Sequence, residues 1–305
     1  MNPVRAFLKL VRWPNLVFIA LTQILFYYCV YIPLMGVEQT RKLVWILSGS
    51  VFIGAAGYII NDYFDLNIDQ INKPDKNVFG KIIHRRWAII WHFILSLLGV
   101  LATALASGMH HWYIILANIG CVALLWFYST SFKRRLLIGN IVISLLTAWT
   151  VLILFFLFTE PRNAIGAAGT HTVKFFRIAF LYGGFAFIIT LIREAVKDME
   201  DMEGDARYGC RTLPIVAGIR TTKVYTMVWI VVLFAALVIV QLYVLQFGWW
   251  LAVLFSSICV IVPLAMVALQ LSRAKGVQDF ASISSLIKWV TLTGIVSMIF
   301  FRIYF

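Results

Sequence analysis

Long apolar blocks alternate with short polar breaks from one end of this chain to the other. A helix needs about 20 predominantly apolar residues to cross a bilayer. Nine blocks meet that length: 15–35, 43–62, 87–107, 112–128, 136–158, 175–193, 224–246, 249–270 and 285–304. The strict apolar–polar alternation of a membrane barrel is absent. No polar stretch is long enough to fold separately. The pattern predicts an all-α polytopic membrane bundle of nine transmembrane helices, with residues 1–305 as a single domain. Arg5, Lys9 and Arg12 precede a first block too long for a cleavable signal, so the first helix is expected to be retained.

Composition agrees with the pattern. The chain is 62% hydrophobic and 13% charged, with a mean hydropathy of +0.91, which excludes a water-soluble globule and a disordered chain. Lys and Arg set the orientation. With a cytoplasmic N-terminus, segments 1–14, 63–86, 129–135, 194–223 and 271–288 face inward and hold most of the 26 basic residues. The outer side keeps Arg41, Lys42, Arg162, Lys174, Arg177 and Arg302. Trp112, Trp249 and Trp250 mark the outer interface, and Trp13 and Trp87 the inner one. The net charge of +13 suits an anionic inner leaflet and an anionic substrate. No basic stretch lies away from the membrane-proximal loops, so no nucleic-acid partner is expected. No obligate protein partner is inferred either. Cys29, Cys121, Cys210 and Cys259 are scattered and imply no disulfide framework.

The acids change the picture. Of 13 Asp and Glu residues, four lie between Asp62 and Asp75 and six between Glu194 and Asp205. Both groups end apolar blocks on the inward side, and ionisable groups there are a functional-site hypothesis by default. At about 100° per residue, Asn61, Asp62, Asp65 and Asp69 share roughly a quarter of a helix circumference. Glu194, Asp198, Asp201 and Asp205 fall within about 60° of one another if the helix persists, with Glu200 and Glu203 turned away. Carboxylates so placed repel unless something positive sits among them. Oxygen-only donors select a hard cation, and Mg²⁺ when phosphate shares the site. Two facing clusters match the clamp required by a diphosphate leaving group.

Other features are more easily structural. Lys133 and Arg134, in the segment from Tyr128 to Arg135, suit either a departing diphosphate or the positive-inside signal. Arg193 and Lys197 carry the same ambiguity. Ser50, Gly54, Gly57, Gly183 and Gly184 read as close helix packing. The histidines form no ligand set and read as solvated or interfacial.

Asn61-Asp62-x-x-Asp65-x-x-x-Asp69 followed by Asn72-Lys73-Pro74 resembles the first motif of the UbiA superfamily of intramembrane prenyltransferases. Asp201-x-x-x-Asp205, then Gly209 and Arg211-Thr212-Leu213-Pro214, resembles the second. Tyr128 to Arg134 with Gly139 and Asn140 resembles the loop between the fourth and fifth helices, and Arg12-Trp13-Pro14 the N-terminal signature. The resemblance implies a nine-helix bundle. It implies transfer of a prenyl group from a prenyl diphosphate to a lipophilic acceptor, with Mg²⁺ as cofactor and membrane lipids around it. Asn61 and Asp65 would bind one metal, and Asp201 and Asp205 the other. Asp62, Asp69 and Asp198 would support them. Lys133 and Arg134 would touch the diphosphate, and Tyr58, Tyr63 and Tyr128 would stabilise an allylic cation. Arg12, Asn72, Lys73, Arg193 and Lys197 would contact substrate.

The second motif is most similar to the digeranylgeranylglyceryl phosphate synthase-like branch, which alkylates a lipid hydroxyl. The residues after Pro74 depart from that branch, which leaves an aromatic quinone precursor as an alternative acceptor. A divalent-cation carrier is the alternative from another class, although carriers usually place coupling carboxylates near the midplane. An alcohol phosphotransferase lacks its Asp-Gly-x-x-Ala-Arg motif here.

Overall fold

The structure is a computed structural model and describes residues 3–72, 85–159 and 169–305. A short amphipathic helix, α1 (Pro3–Leu10), precedes the bundle. The spanning helices are α2 (Trp13–Met35), α3 (Thr40–Asn72), α4 (Arg85–Ser107), α5 (Trp112–Thr130), α6 (Ile138–Phe158), α7 (Thr170–Glu200), α9 (Leu213–Leu245), α10 (Trp250–Arg273) and α11 (Val277–Tyr304). A further short helix, α8 (Met202–Arg207), lies between α7 and α9. Among the described residues these nine are long and apolar enough to cross a membrane, and no strand occurs. The chain is an integral multi-pass membrane protein.

The helices run past the apolar blocks that predict them. Helix α3 has 33 residues and α7 has 31. At about 1.5 Å per residue either is longer than the roughly 30 Å hydrocarbon layer. Both extensions are C-terminal and carry the acids, so both clusters project from the same end of the bundle. Helix α9 starts earlier than its apolar block. Pro214 opens it, and Gly218 interrupts it at φ 84°, a conformation glycine adopts freely. Wide turns at Phe26–Tyr31 and Ser257–Ile261 are each followed by a proline, Pro33 and Pro263. A proline ring clashes with the carbonyl four residues earlier, and widening the turn relieves it.

An aromatic cluster closes the end opposite the acids. Tyr27, Tyr31, Phe155, Phe158 and Phe175 are buried there, with Tyr31 stacked on Phe158 at 4.5 Å. Gln39 ties the following loop to it: its backbone N–H donates to the Tyr27 hydroxyl at 2.5 Å and its amide to Tyr31 at 2.6 Å. Two other apolar clusters hold α1, α3 and α4 together, and α7, α9, α10 and α11. A polar chain crosses the interior: Trp149 donates to Asn118, which donates to Thr103, at 2.9 and 2.7 Å.

Small residues set the approach of α3 to its neighbours, as the sequence suggests. A methyl at Gly54 would meet Ile19 at 3.0 Å, one at Gly57 would meet Leu125 at 2.8 Å, and one at Gly183 would meet Leu152 at 3.1 Å. Gly184 meets nothing within 4 Å, and Ser50 accepts from the Gln23 amide at 2.8 Å. A close crossing also joins α3 to α4, where a methyl at Gly99 would lie 2.6 Å from Ile53 and 3.1 Å from the Gly49 carbonyl. The interfacial reading of the histidines needs correction. His92 is buried against the Ala56 carbonyl at 3.0 Å, and His111 is buried beside the Tyr113 hydroxyl at 3.0 Å. Each satisfies its ring within the bundle, and neither lines the cavity described below.

Gly99→Ala is expected to overpack the α3–α4 crossing and destabilise the fold by about 1–3 kcal/mol. Thermal unfolding in detergent measures it. An unchanged melting temperature would mean that the crossing relaxes freely.

Candidate functional site

Between α2, α3, α5, α6, α7 and α11 lies a cavity of about 1150 Å³. Its walls change character along its length. Phe18, Ile19, Ile53, Ile143, Leu146 and Ile189 line the interior, and the acid-bearing helix ends line the mouth. This shape suits an amphiphile with an anionic head and an apolar tail.

Helix α3 supplies Tyr58, Asn61, Asp62 and Asp65 to one wall. Asp65 is only 4% exposed and accepts from the Asn61 amide at 2.8 Å and from the Lys133 ammonium. Arg12 donates to Asp62 at 2.5 Å and lies over the Tyr58 ring at 5.4 Å. The opposite wall carries Arg193, Glu194, Lys197 and Asp198 from α7, with Asp201 and Asp205 beyond its end. Asn140, at the start of α6, donates to Asp198 at 2.8 Å. Tyr128 lines the space between the walls.

Two local devices deliver the cations. Arg12 and Leu137 are the described non-glycine residues with positive φ, 50° and 56°. That conformation costs about 1–2 kcal/mol for an L-residue. Arg12 sits at the turn between α1 and α2, which aims its side chain at α3. Leu137 closes the 3₁₀ turn Phe132–Arg134 onto α6 and so places Lys133 opposite Asp65. Gly139 completes the fit. A methyl there would meet the Lys133 Cα and the Phe132 carbonyl, both at 3.0 Å.

Burial opposes the charge of Lys133, but Asp65, with Tyr128 and Asp205, together outweigh it, so the ammonium titrates well above the usual lysine range. Among the described residues, no cation forms an ion pair with Asp205. Burial pushes its carboxyl up to about 6, with Lys133 opposing and Asp201 reinforcing the shift.

Several sequence expectations change at this point. Helix α7 stops at Glu200, and Asp201 (φ −95°, ψ 5°) links it to α8. The continuous helical phase assumed across 198–205 therefore fails. Glu200 lines the cavity mouth, against the expectation that it faces away, while Glu203 does point outward and pairs with Arg207 at 2.7 Å. Arg134 is exposed and off the cavity wall; its backbone N–H donates to the Ser131 carbonyl at 3.3 Å and its carbonyl accepts from the Arg211 N–H at 2.8 Å. Consecutive side chains of a 3₁₀ turn diverge by about 120°, and here Lys133 faces Asp65 while Arg134 faces outward. Asp69 and Asn72 belong to the last turns of α3, but their side chains, like the whole of Lys73, lie outside the described residues. Sequence reasoning placed Glu194 in phase with the cluster yet gave it no role. Nor did it single out Lys288, a charge within the last span that also lines the cavity.

The donor set fits a hard cation. The oxygens of Asn61, Asp65, Asp201 and Asp205 face one space, and the Asn61 Oδ1 is buried without a hydrogen-bond partner. Among the described residues, no three His, Cys, Asp or Glu side chains gather closely enough to hold a metal alone. Mg²⁺ is usually bound by one or two carboxylates plus substrate phosphates, so a two-residue contribution from each wall is what it requires.

Comparison with known proteins gives a consistent result. The profile of the UbiA prenyltransferase family matches residues 15–292. Over 280 residues the chain is 33% identical to the digeranylgeranylglyceryl phosphate synthase of Methanothermobacter thermautotrophicus, covering 90% of this chain and 84% of that one. It is 31% identical over 214 residues to the enzyme of the same name from Pyrococcus horikoshii, covering 70% and 69%. A solved structure concerning digeranylgeranylglyceryl phosphate synthase in membranes superposes with a TM-score of 0.62 at 25% identity, covering 98% of this chain and 99% of that one. A UbiA homolog from Archaeoglobus fulgidus, bound to GPP and Mg²⁺, shares the fold with a TM-score of 0.59 at 18% identity, covering 96% and 99%.

Two outcomes follow from the geometry. Gly139→Ala is expected to displace the Lys133 turn and lower kcat about tenfold or more, because misplacement by about 1 Å costs up to 10²-fold. Unchanged turnover would mean that the turn is not held by this contact. In cation-free protein, a carboxyl raised to about 6 opposes folding when ionised. Its contribution improves as pH falls through about 6 toward the usual carboxylate range. The melting temperature of wild type relative to Asp205→Asn should therefore rise across that window. A flat difference between pH 7 and pH 4.5 would show that Asp205 titrates normally.

Proposed function

Because the chain belongs to the UbiA prenyltransferase family and is a prenyltransferase, we propose that it carries a prenyl group from a prenyl diphosphate to the hydroxyl of a glycerol-phosphate lipid, with Mg²⁺ as cofactor. The observation that carries this reading is Lys133, held charged inside an apolar bundle between two facing carboxylate walls. The head of a prenyl diphosphate belongs at that mouth and its chain in the apolar interior. The synthase name shared by the relatives supports a glycerol-phosphate acceptor.

Asn61 and Asp65 on one wall, and Asp201 and Asp205 on the other, would hold Mg²⁺. When bound, it neutralises the diphosphate and stabilises the leaving oxygen. Lys133 donates to a departing phosphate oxygen, where charge builds as the carbon–oxygen bond breaks. Arg12, fixed by Asp62, holds the second charge at the mouth. Asp198, fixed by Asn140, keeps the α7 wall in register. The ring faces of Tyr58 and Tyr128 stabilise the allylic cation. The apolar lining excludes water, so the acceptor oxygen captures the cation and releases its proton. The N-terminus and the cavity mouth face the cytoplasm on this reading, with the basic loops as support.

Purified protein incubated with Mg²⁺, prenyl diphosphates of several lengths and candidate acceptors tests the proposal, with products identified by mass spectrometry. Prenylation of an aromatic acceptor alone would sink the acceptor assignment. Asp65→Ala and Asp201→Ala should each nearly abolish turnover. Lys133→Ala should lower kcat about 10²–10³-fold, with a smaller effect on KM for the diphosphate. Wild-type turnover in either Asp variant would overturn the two-wall assignment, with melting temperature controlling for loss of fold.

A further inference from the structure

The cations of the cavity fall into two groups. Arg12 and Lys133 are each closed onto a carboxylate of α3. Arg193 and Lys197 instead share one carboxylate, Glu194, at 3.8 and 3.7 Å. Those distances are beyond a hydrogen bond. The Nε of Arg193 is buried and has no hydrogen-bond partner. Buried donors are nearly always satisfied, so an orphan of this kind asks for a ligand.

Helical phase separates this pair from the carboxylates beside it. Arg193 and Lys197 are one turn apart, and at about 100° per residue their row lies roughly 100° from the row of Glu194 and Asp198. The carboxylate row meets Asn140 on α6. The basic row points elsewhere in the same cavity. Helix α11 packs along α7 and brings Ser284, Ser285 and Lys288 to that cavity. Lys288 falls about one turn into the apolar block 285–304 and lines the cavity. An ionisable group that faces a cavity within a membrane bundle marks a substrate path by default.

We propose that Arg193, Lys197 and Lys288, with the hydroxyls of Ser284 and Ser285, form a second anion site that takes the phosphate of the lipid acceptor. It is distinct from the position of the donor diphosphate beside Lys133. The proposal rests on the reading above that the acceptor is a phosphate-bearing lipid. The phosphate orients the acceptor and takes no part in bond changes. The acceptor hydroxyl oxygen bonds to C1 of the prenyl group, the C1–O bond to diphosphate breaks with its electron pair leaving on the diphosphate, and the hydroxyl proton passes to an oxygen of that departing diphosphate. The countercharge at this second site comes from side chains alone, so acceptor binding needs no divalent cation.

The test titrates a prenylglyceryl phosphate and the corresponding dephosphorylated alcohol onto wild-type protein in nanodiscs containing EDTA. The phosphate form is expected to bind about tenfold or more tightly than the alcohol, since a charge-assisted hydrogen bond contributes about 1.5–3 kcal/mol. Lys197→Gln and Lys288→Gln should each shrink that preference and raise KM for the phosphate acceptor, leaving KM for the prenyl diphosphate within about twofold. Lys288→Arg should retain the preference. Equal binding of the two lipids, or loss of phosphate binding in EDTA, overturns the second site. So does a rise in KM for the donor instead of the acceptor. Mg²⁺-dependent turnover of the prenyl diphosphate in the same preparation reports the transferase reading separately. If that turnover delivers the prenyl group only to an aromatic acceptor, the lipid-acceptor reading fails together with the site.

Discussion

Asp65 is almost wholly buried at the end of a membrane helix, and a carboxylate in that position must be paired. Its partner, Lys133, comes from a turn distant in sequence, and much of the site's local architecture serves that meeting. The left-handed Leu137 bends the chain so that the turn folds back onto α6. Gly139 leaves no side chain in the way. The Arg211 N–H holds the Arg134 carbonyl and so pins the same turn to the segment after α8. Removing one partner of such a pair typically costs about 3–5 kcal/mol, so the turn and α3 are fixed relative to each other.

The same principle, applied at each pair, explains how the cavity stays polar inside an apolar bundle. Asp62 has Arg12, Asp198 has Asn140, and Glu194 lies between Arg193 and Lys197. These contacts pair Asp62, Asp198 and Glu194, and among the described residues no three carboxylates gather around one point. A substrate that brings its own phosphate oxygens completes what each wall leaves open. The aromatic cluster packs the helices together at the other end.

Charge is distributed unevenly around the mouth. Arg12 and Lys133 are each closed onto a carboxylate of α3, whereas Arg193 and Lys197 share Glu194 at longer range. If the acceptor carries phosphate as proposed, the two substrates would meet different cations, because the acidic and basic rows of α7 differ by helical phase.

The sequence by itself determined the class of fold, the number of spans and the end of the bundle that carries the chemistry. Those properties follow from local quantities: the length of an apolar block, the sign of a loop and the clustering of acids on one side. The small residues at Gly54, Gly57 and Gly183 were legible for the same reason, since close packing needs them wherever the helices meet. Tertiary structure alone decided which charges meet. Lys133 and Arg134 are adjacent and chemically alike, yet one is sealed against Asp65 and the other is exposed, because a 3₁₀ turn aims them differently. Glu200 reaches the cavity mouth because α7 breaks at Asp201, a break that acidic spacing does not encode. Lys288 looks like a stray charge in an apolar block until α11 packs along α7 and turns it toward the cavity. Pairing between buried charges depends on distances between segments far apart in the chain, and only the folded arrangement of helices sets those distances.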